Sequence, residues 1–190
     1  AKTALNSLDP QLRHAIEIGI DRVRLASALQ VPESKSVEVA PGAVITQRFV
    51  PVDRAGVYVP GGKAVYPSSV VMNVVAAQSA GVASIALASP PQPDFDAQIH
   101  PTILATAALL DIDELYQMGG AGAVGALAYG VVDIGLDPVS VITGPGNRYV
   151  ASAKRLVKGR VGIDSEAGPT EIVVIADSGP SADIVAADLV

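Results

Sequence analysis

The chain has 190 residues, 49% hydrophobic and 17% charged, with a net charge of −6 and neither cysteine nor tryptophan. That is material for one large domain, or one domain plus pieces of another, with a core of Ala, Val, Leu and Ile because aromatics are only 4%. The acidic balance speaks against a nucleic-acid surface, which needs clustered Lys and Arg, and the lack of Cys excludes disulfides, thiolate nucleophiles and Cys-ligated zinc within the chain.

A cysteine-free chain is compatible with a reducing cytosol, and a cytoplasmic location is expected. No apolar run reaches the roughly 18 to 20 residues of a membrane span, so no membrane partner is expected. The N-terminus lacks an apolar signal core. The first residue is not Met, and the chain stops at Val190 inside a helical pattern. A segment cut at both ends is expected.

In chain order, Asp9 caps a helix with Pro10 at its first position. Leu12, Ile16, Ile20 and Val23 recur at helical spacing, and the helix is expected to reach about Leu29. Alternation from Val37 to Val50, broken at Pro41-Gly42, predicts a hairpin or two short strands. Gly56 to Val59 is a short strand ended by Pro60-Gly61-Gly62, and Ser68 or Ser69 is expected to cap the apolar helix that follows and closes at Ala80-Gly81. Val82 to Ala88 is a strand, and His100-Pro101-Thr102 opens a helix, with His100 just before its start. Glu114 to Met118 is strand-like, and Gly119-Gly120-Ala121-Gly122 leads into a small-residue helix ending at Tyr129-Gly130. After a strand at Val139 to Ile142, Gly144-Pro145-Gly146-Asn147 opens a helix whose end carries Lys154, Arg155 and Lys158, cations that suit its negative pole. Gly162 to Ala167 is a loop or short strand, Glu171 to Ala176 a strand, and Pro180-Ser181 starts a last helix.

Strand and helix alternate, and the strands are short apolar runs of the kind buried on both faces. The fold class expected is α/β: a Rossmann-like three-layer sandwich with a mostly parallel sheet, plus pieces of a second related α/β domain. Right-handed crossovers then place three glycine loops, after Tyr58, Met118 and Thr143, on one sheet edge, where ligands of open α/β sheets bind. Gly120 to Gly125 matches GxGxxG by letters, but no acidic ribose-binding residue follows at the usual distance.

Asn147 has two readings, a helix cap or a hydrogen bond to a ligand's sugar or base. Asp164, Glu166 and Glu171 bracket Gly168-Pro169-Thr170 and read either as surface acids or as acid–base candidates. His14 lies on the polar side of its helix, and two distant histidines make no zinc site.

Together, DRAGVYVPGG at Asp53–Gly62, PSSVVMNVVAAQSAG at Pro67–Gly81, MGGAGAVGALAYG at Met118–Gly130, GPGNRYVASAKR at Gly144–Arg155 and GIDSEAGPTEIVVIAD at Gly162–Asp177 resemble histidinol dehydrogenase across essentially the whole chain. The resemblance implies a zinc-dependent homodimer that oxidises L-histidinol to L-histidine with two NAD in turn, through a bound aldehyde. It implies a Rossmann-like NAD-side domain over residues 37–160. Residues 1–36 and 161–190 would supply a helix and an incomplete strand–helix return to the first domain. Tyr58 resembles the family's NAD-contacting tyrosine, Pro60 and the glycines after it would line the same site, and Asn147 resembles the NAD-contacting asparagine. Thr170 stands where the family places a small hydroxyl residue on the substrate. Many members have an NAD-contacting Gln where this chain has Gly122, which leaves only backbone to meet the cofactor. The family's zinc ligands and its catalytic Glu–His pair are expected beyond Val190. The chain alone is therefore expected to hold no metal ligand or catalytic residue, to bind no catalytic zinc and to be inactive. Two rival readings keep less of this: oxidation of another small alcohol such as sulfopropanediol, or a non-catalytic nucleotide-binding module.

Overall fold

The computed structural model describes residues 1–61, 64–166, 173–177, 179 and 181–189. A short helix α1 (Lys2–Asn6) precedes α2 (Pro10–Ala28), in which Pro10 takes the first position and the Asp9 carboxylate accepts the Leu12 N–H at 2.8 Å. β1 (Lys35–Ala40) and β2 (Ala43–Gln47) pair as an antiparallel hairpin turned at Gly42, the two-stranded unit that the Pro41-Gly42 break predicts. Both faces of this hairpin are exposed.

The remaining elements build one parallel sheet. In chain order they are β3 (Arg54–Tyr58), α3 (Pro67–Ser79), β4 (Ser84–Ser89), α4 (Pro101–Leu109), β5 (Glu114–Gln117), α5 (Gly120–Tyr129), β6 (Val141–Thr143), α6 (Arg148–Val157) and β7 (Gly162–Ile163). A last helix, α7 (Ala182–Asp188), follows. The sheet order is β5-β4-β3-β6-β7, and each neighbouring pair is parallel. The chain starts in the middle with β3, winds outward through β4 and β5, then crosses back to lay β6 on the other side of β3.

Alternate residues of β3 serve opposite layers, as the pleat requires. Val57 and Val59 pack with Val70, Val74 and Ile103 on one face. Tyr58 packs with Val124, Leu127, Ile142 and Val150 on the other. Helices α3 and α4 thus cover one side and α5 and α6 the second, so the three-layer α/β sandwich is present. Ile16 and Ile20 of α2 join the first of these cores from outside α3.

Some expectations are corrected. Neither Ser68 nor Ser69 caps α3; Tyr66 precedes the helix and Pro67 holds its first position, where a missing N–H costs nothing. The strand expected over residues 171–176 is not formed by its described part. Among the described residues, 173–177 join no strand, and Val173 and Ile175 are 86% and 96% exposed. Glu171 lies outside the described residues. β7, at Gly162–Ile163, pairs with β6 and is the last strand of the sheet among the described residues.

Candidate functional site

All three glycine loops lie at the C-terminal ends of strands β3, β5 and β6, on one edge of the sheet. β3 and β6 are neighbours whose chains leave in opposite directions, so a crevice opens between their loops, the usual ligand position of a doubly wound sheet. One part of it, about 600 Å3, is lined by Pro60, Gly61, Tyr66, Ser69, Pro145, Gly146 and Asn147. A second part of about 530 Å3 shares Ser69, Pro145 and Gly146 and extends past Asn73 and Gly144 to Lys154, Asp164 and Ser165.

Several glycines are required by the protein's own packing. A Cβ on Gly61 would stand 2.8 Å from Pro90 Cγ, and one on Gly119 would stand 2.5 Å from Pro90 Cβ. Pro90, just past β4, is wedged between the first two loops. Gly144 has φ +116°, and a Cβ there would come within 2.0 Å of the Tyr58 carbonyl oxygen. Gly146 makes room for Val150 in the same way. The absence of side chains therefore brings three loops into contact as much as it opens backbone to a ligand.

Tyr58 is 4% exposed. Its ring belongs to the core under α5, and its hydroxyl oxygen accepts the Gly120 N–H at 3.1 Å, tying the first loop to the second. The hydroxyl hydrogen is the polar group that Tyr58 has left to offer. Asn147 caps α6, its Oδ1 accepting the N–H groups of Tyr149 and Val150 at 3.0 and 3.1 Å. The cap uses the oxygen, so a ligand lying in the crevice meets the amide nitrogen. Gly122 sits in the first turn of α5, where a Cβ would meet nothing within 4 Å. Pro60 and Asn147 share the crevice, whereas neither Tyr58 nor Gly122 lines it. Thr170 lies outside the described residues.

Lys154, a helix-end cation by its position, does not reach solvent but is buried, 4% exposed. Its ammonium donates to the Gly144 carbonyl at 3.1 Å and to the Asp164 carboxylate. Asp164 Oδ2 accepts the Gly144 N–H at 2.8 Å, and Oδ1 accepts the Ser165 N–H at 2.7 Å. The sequence held half of this pair: Val150, Ala153, Lys154 and Val157 share one helical face, and a lysine among apolar positions needs a partner, but no spacing names Asp164. Glu166, by contrast, pairs with Arg155 and Lys158 at the surface, and these hydrogen bonds hold its carboxyl below the usual range. His100 caps α4 through Nδ1, which accepts the Thr102 N–H at 3.1 Å. Among the described residues no group of three or more His, Cys, Asp and Glu is placed to hold a metal, and no helix is long and apolar enough to cross a membrane.

The family model for histidinol dehydrogenase matches residues 1–190. Among curated relatives, a histidinol dehydrogenase of Leifsonia xyli subsp. xyli is 65% identical over 187 residues, covering 98% of this chain and 43% of that protein. One from Corynebacterium glutamicum is 56% identical over 187 residues, with 98% of this chain and 42% of the relative covered. The crystal structure of histidinol dehydrogenase from Elizabethkingia anophelis superposes with a TM-score of 0.84 at 35% identity, over 99% of this chain and 43% of that one. The chain thus spans about 43% of the length of these relatives. An α/β sheet wound from its centre, a crevice at its switch point and a match along its whole length lead to one assignment: the chain belongs to the histidinol dehydrogenase family.

Proposed function

We propose that this chain forms the NAD side of a zinc-dependent dehydrogenase that oxidises L-histidinol to L-histidine through L-histidinaldehyde, in histidine biosynthesis. The observation that carries the reading is the crevice between the β3 and β6 loops, in a chain of this family. Its shape and backbone-rich lining fit an extended dinucleotide. Pro60 would bound the cofactor on one side. The Asn147 amide nitrogen would donate to it from the other, with its oxygen already spent on the cap. The Tyr58 hydroxyl hydrogen and the backbone at Gly122 would meet its far end, and Thr170 would touch the substrate. When bound, NAD supplies the hydride acceptor for the carbinol carbon and then for the hydrated aldehyde. Among the described residues no set of ligands fits zinc.

The assignment of residues 37–160 to the NAD-side domain, and of the flanks to a first domain, belongs to the same proposal. So does a cytoplasmic homodimer. Exposed apolar side chains at the end of α2 (Leu25, 73%) and just past it (Leu29, 89%), and on the hairpin (Val37, Val39, Val44 and Ile45), support association.

The test is NADH formation by the intact protein carrying this chain, with zinc and L-histidinol. Two NADH per histidinol, with histidine as product, is the expected result. Turnover of sulfopropanediol alone would keep the NAD site and replace the substrate. NAD binding without turnover of either alcohol would reduce the chain to a nucleotide-binding module.

A further inference from the structure

Gly144 is held from both sides by one ion pair. Its N–H goes to Asp164 and its C=O receives Lys154, and these two side chains join each other. They arrive from different elements, Lys154 from the last turn of α6 and Asp164 from the residue after β7. Gly144 lies at φ +116°, a conformation that glycine enters and leaves easily, so nothing intrinsic keeps this peptide from turning over. Turning the Thr143–Gly144 peptide would put the Thr143 C=O where the Gly144 N–H stands, and turning the Gly144–Pro145 peptide would swing the Gly144 C=O away from Lys154. Pro145 has no N–H, so with Gly144 occupied the loop's remaining backbone donor before the α6 cap is Gly146 N–H.

We propose that Lys154 and Asp164 are a positioning pair that sets the Gly144–Gly146 loop for the dinucleotide. This rests on the cofactor reading above. The pair acts through the loop: it fixes which backbone groups the crevice presents, and it closes the end of the crevice with a charge pair already neutralised.

The test uses the intact protein with Lys154→Met and Asp164→Leu together. Replacing a buried pair by apolar residues of similar volume generally leaves stability near its starting value. NAD affinity is titrated by calorimetry, with kcat at saturating NAD and the thermal midpoint measured alongside. A Kd for NAD raised about tenfold, the size of one or two lost positioning hydrogen bonds, is expected. kcat and midpoint should stay close to wild type, a split that a general loss of folding does not produce. Wild-type affinity in the folded double variant overturns the proposal. If that variant does not fold, Lys154→Met alone, which frees the Gly144 C=O and leaves the one-third-exposed Asp164 carboxylate to solvent, takes the same titration, and wild-type affinity there overturns it equally. A wild-type protein that takes up no NAD in the control removes the cofactor reading, and this proposal with it.

Discussion

The two rims of the sheet each carry an ion pair, and the pairs do different work. At the N-terminal rim Arg54 of β3 reaches across β4 to Glu114 of β5, donating to Oε1 at 2.7 Å and also to Oε2 and to Ser84 Oγ. Tyr116 adds a hydrogen bond to Glu114 at 3.1 Å. This network joins three strands, and the guanidinium leaves its Nε buried without a partner. At the C-terminal rim Lys154 and Asp164 grip a loop glycine and line a crevice. The first pair locks strand order; the second locks the conformation of a backbone that meets solvent. The same chemistry serves stability where it bridges strands and site geometry where it bridges loops.

The largest expected effect comes from breaking the C-terminal rim at its glycine. Gly144→Ala puts a Cβ 2.0 Å from the Tyr58 carbonyl oxygen in a backbone region that side chains avoid. It should cost on the order of 3 kcal/mol, read as a fall in the thermal midpoint. A midpoint equal to wild type would mean the loop is not held as described.

The opposite rim sharpens the contrast. Arg54→Met should lower stability by about 2 kcal/mol, because it strips a part-buried carboxylate of its bidentate partner. NAD affinity should stay within about twofold of wild type, since no bond from Arg54 reaches the crevice. A large change in affinity would erase the division of labour between the rims.

Acid tests the same pair more gently. Hydrogen bonding and charge from Arg54 hold the Glu114 carboxyl below its ordinary value of 4.5, against the opposing effect of burial. The folded protein therefore binds this proton less readily than the unfolded chain. The contribution is full above about pH 4.5 and is lost as the pH falls through the depressed folded value. Urea midpoints between about pH 6 and pH 3 should fall less steeply for Glu114→Gln than for wild type. Parallel curves would show that the pair contributes nothing in water.

The smallest effect is a gain. Gly122→Gln has open space for its side chain and removes a helical glycine, so stability should rise by about 0.5 kcal/mol. Affinity for NAD should improve about fivefold through one added hydrogen bond. Unchanged affinity would place the cofactor away from α5.

The alternation of apolar runs with helical periods made the parallel sandwich legible, and punctuation placed most element ends. Asp9-Pro10, Ala80-Gly81 and Tyr129-Gly130 each mark a boundary the structure has. Such signals are local: a missing N–H, a left-handed glycine, a side chain within reach of the next turn. Of the two readings of Asn147, the helix cap is the one the fold displays.

What the sequence by itself determined was the set of elements and the edge on which the three loops would gather, because burial on two faces and right-handed crossovers leave few other arrangements. Tertiary structure alone decided what the glycines and the charges are for. Gly61 and Gly119 serve Pro90, Gly144 serves the Tyr58 carbonyl, and Lys154 turns inward to Asp164. Each of these is a contact between residues far apart in the chain, or between a side chain and a backbone that only the folded loop brings near. The spacing of letters carries no record of that distance. The physical reason is steric and dielectric: a Cβ is forbidden only by the atom that stands opposite it, and a lysine is buried only where a carboxylate is already waiting.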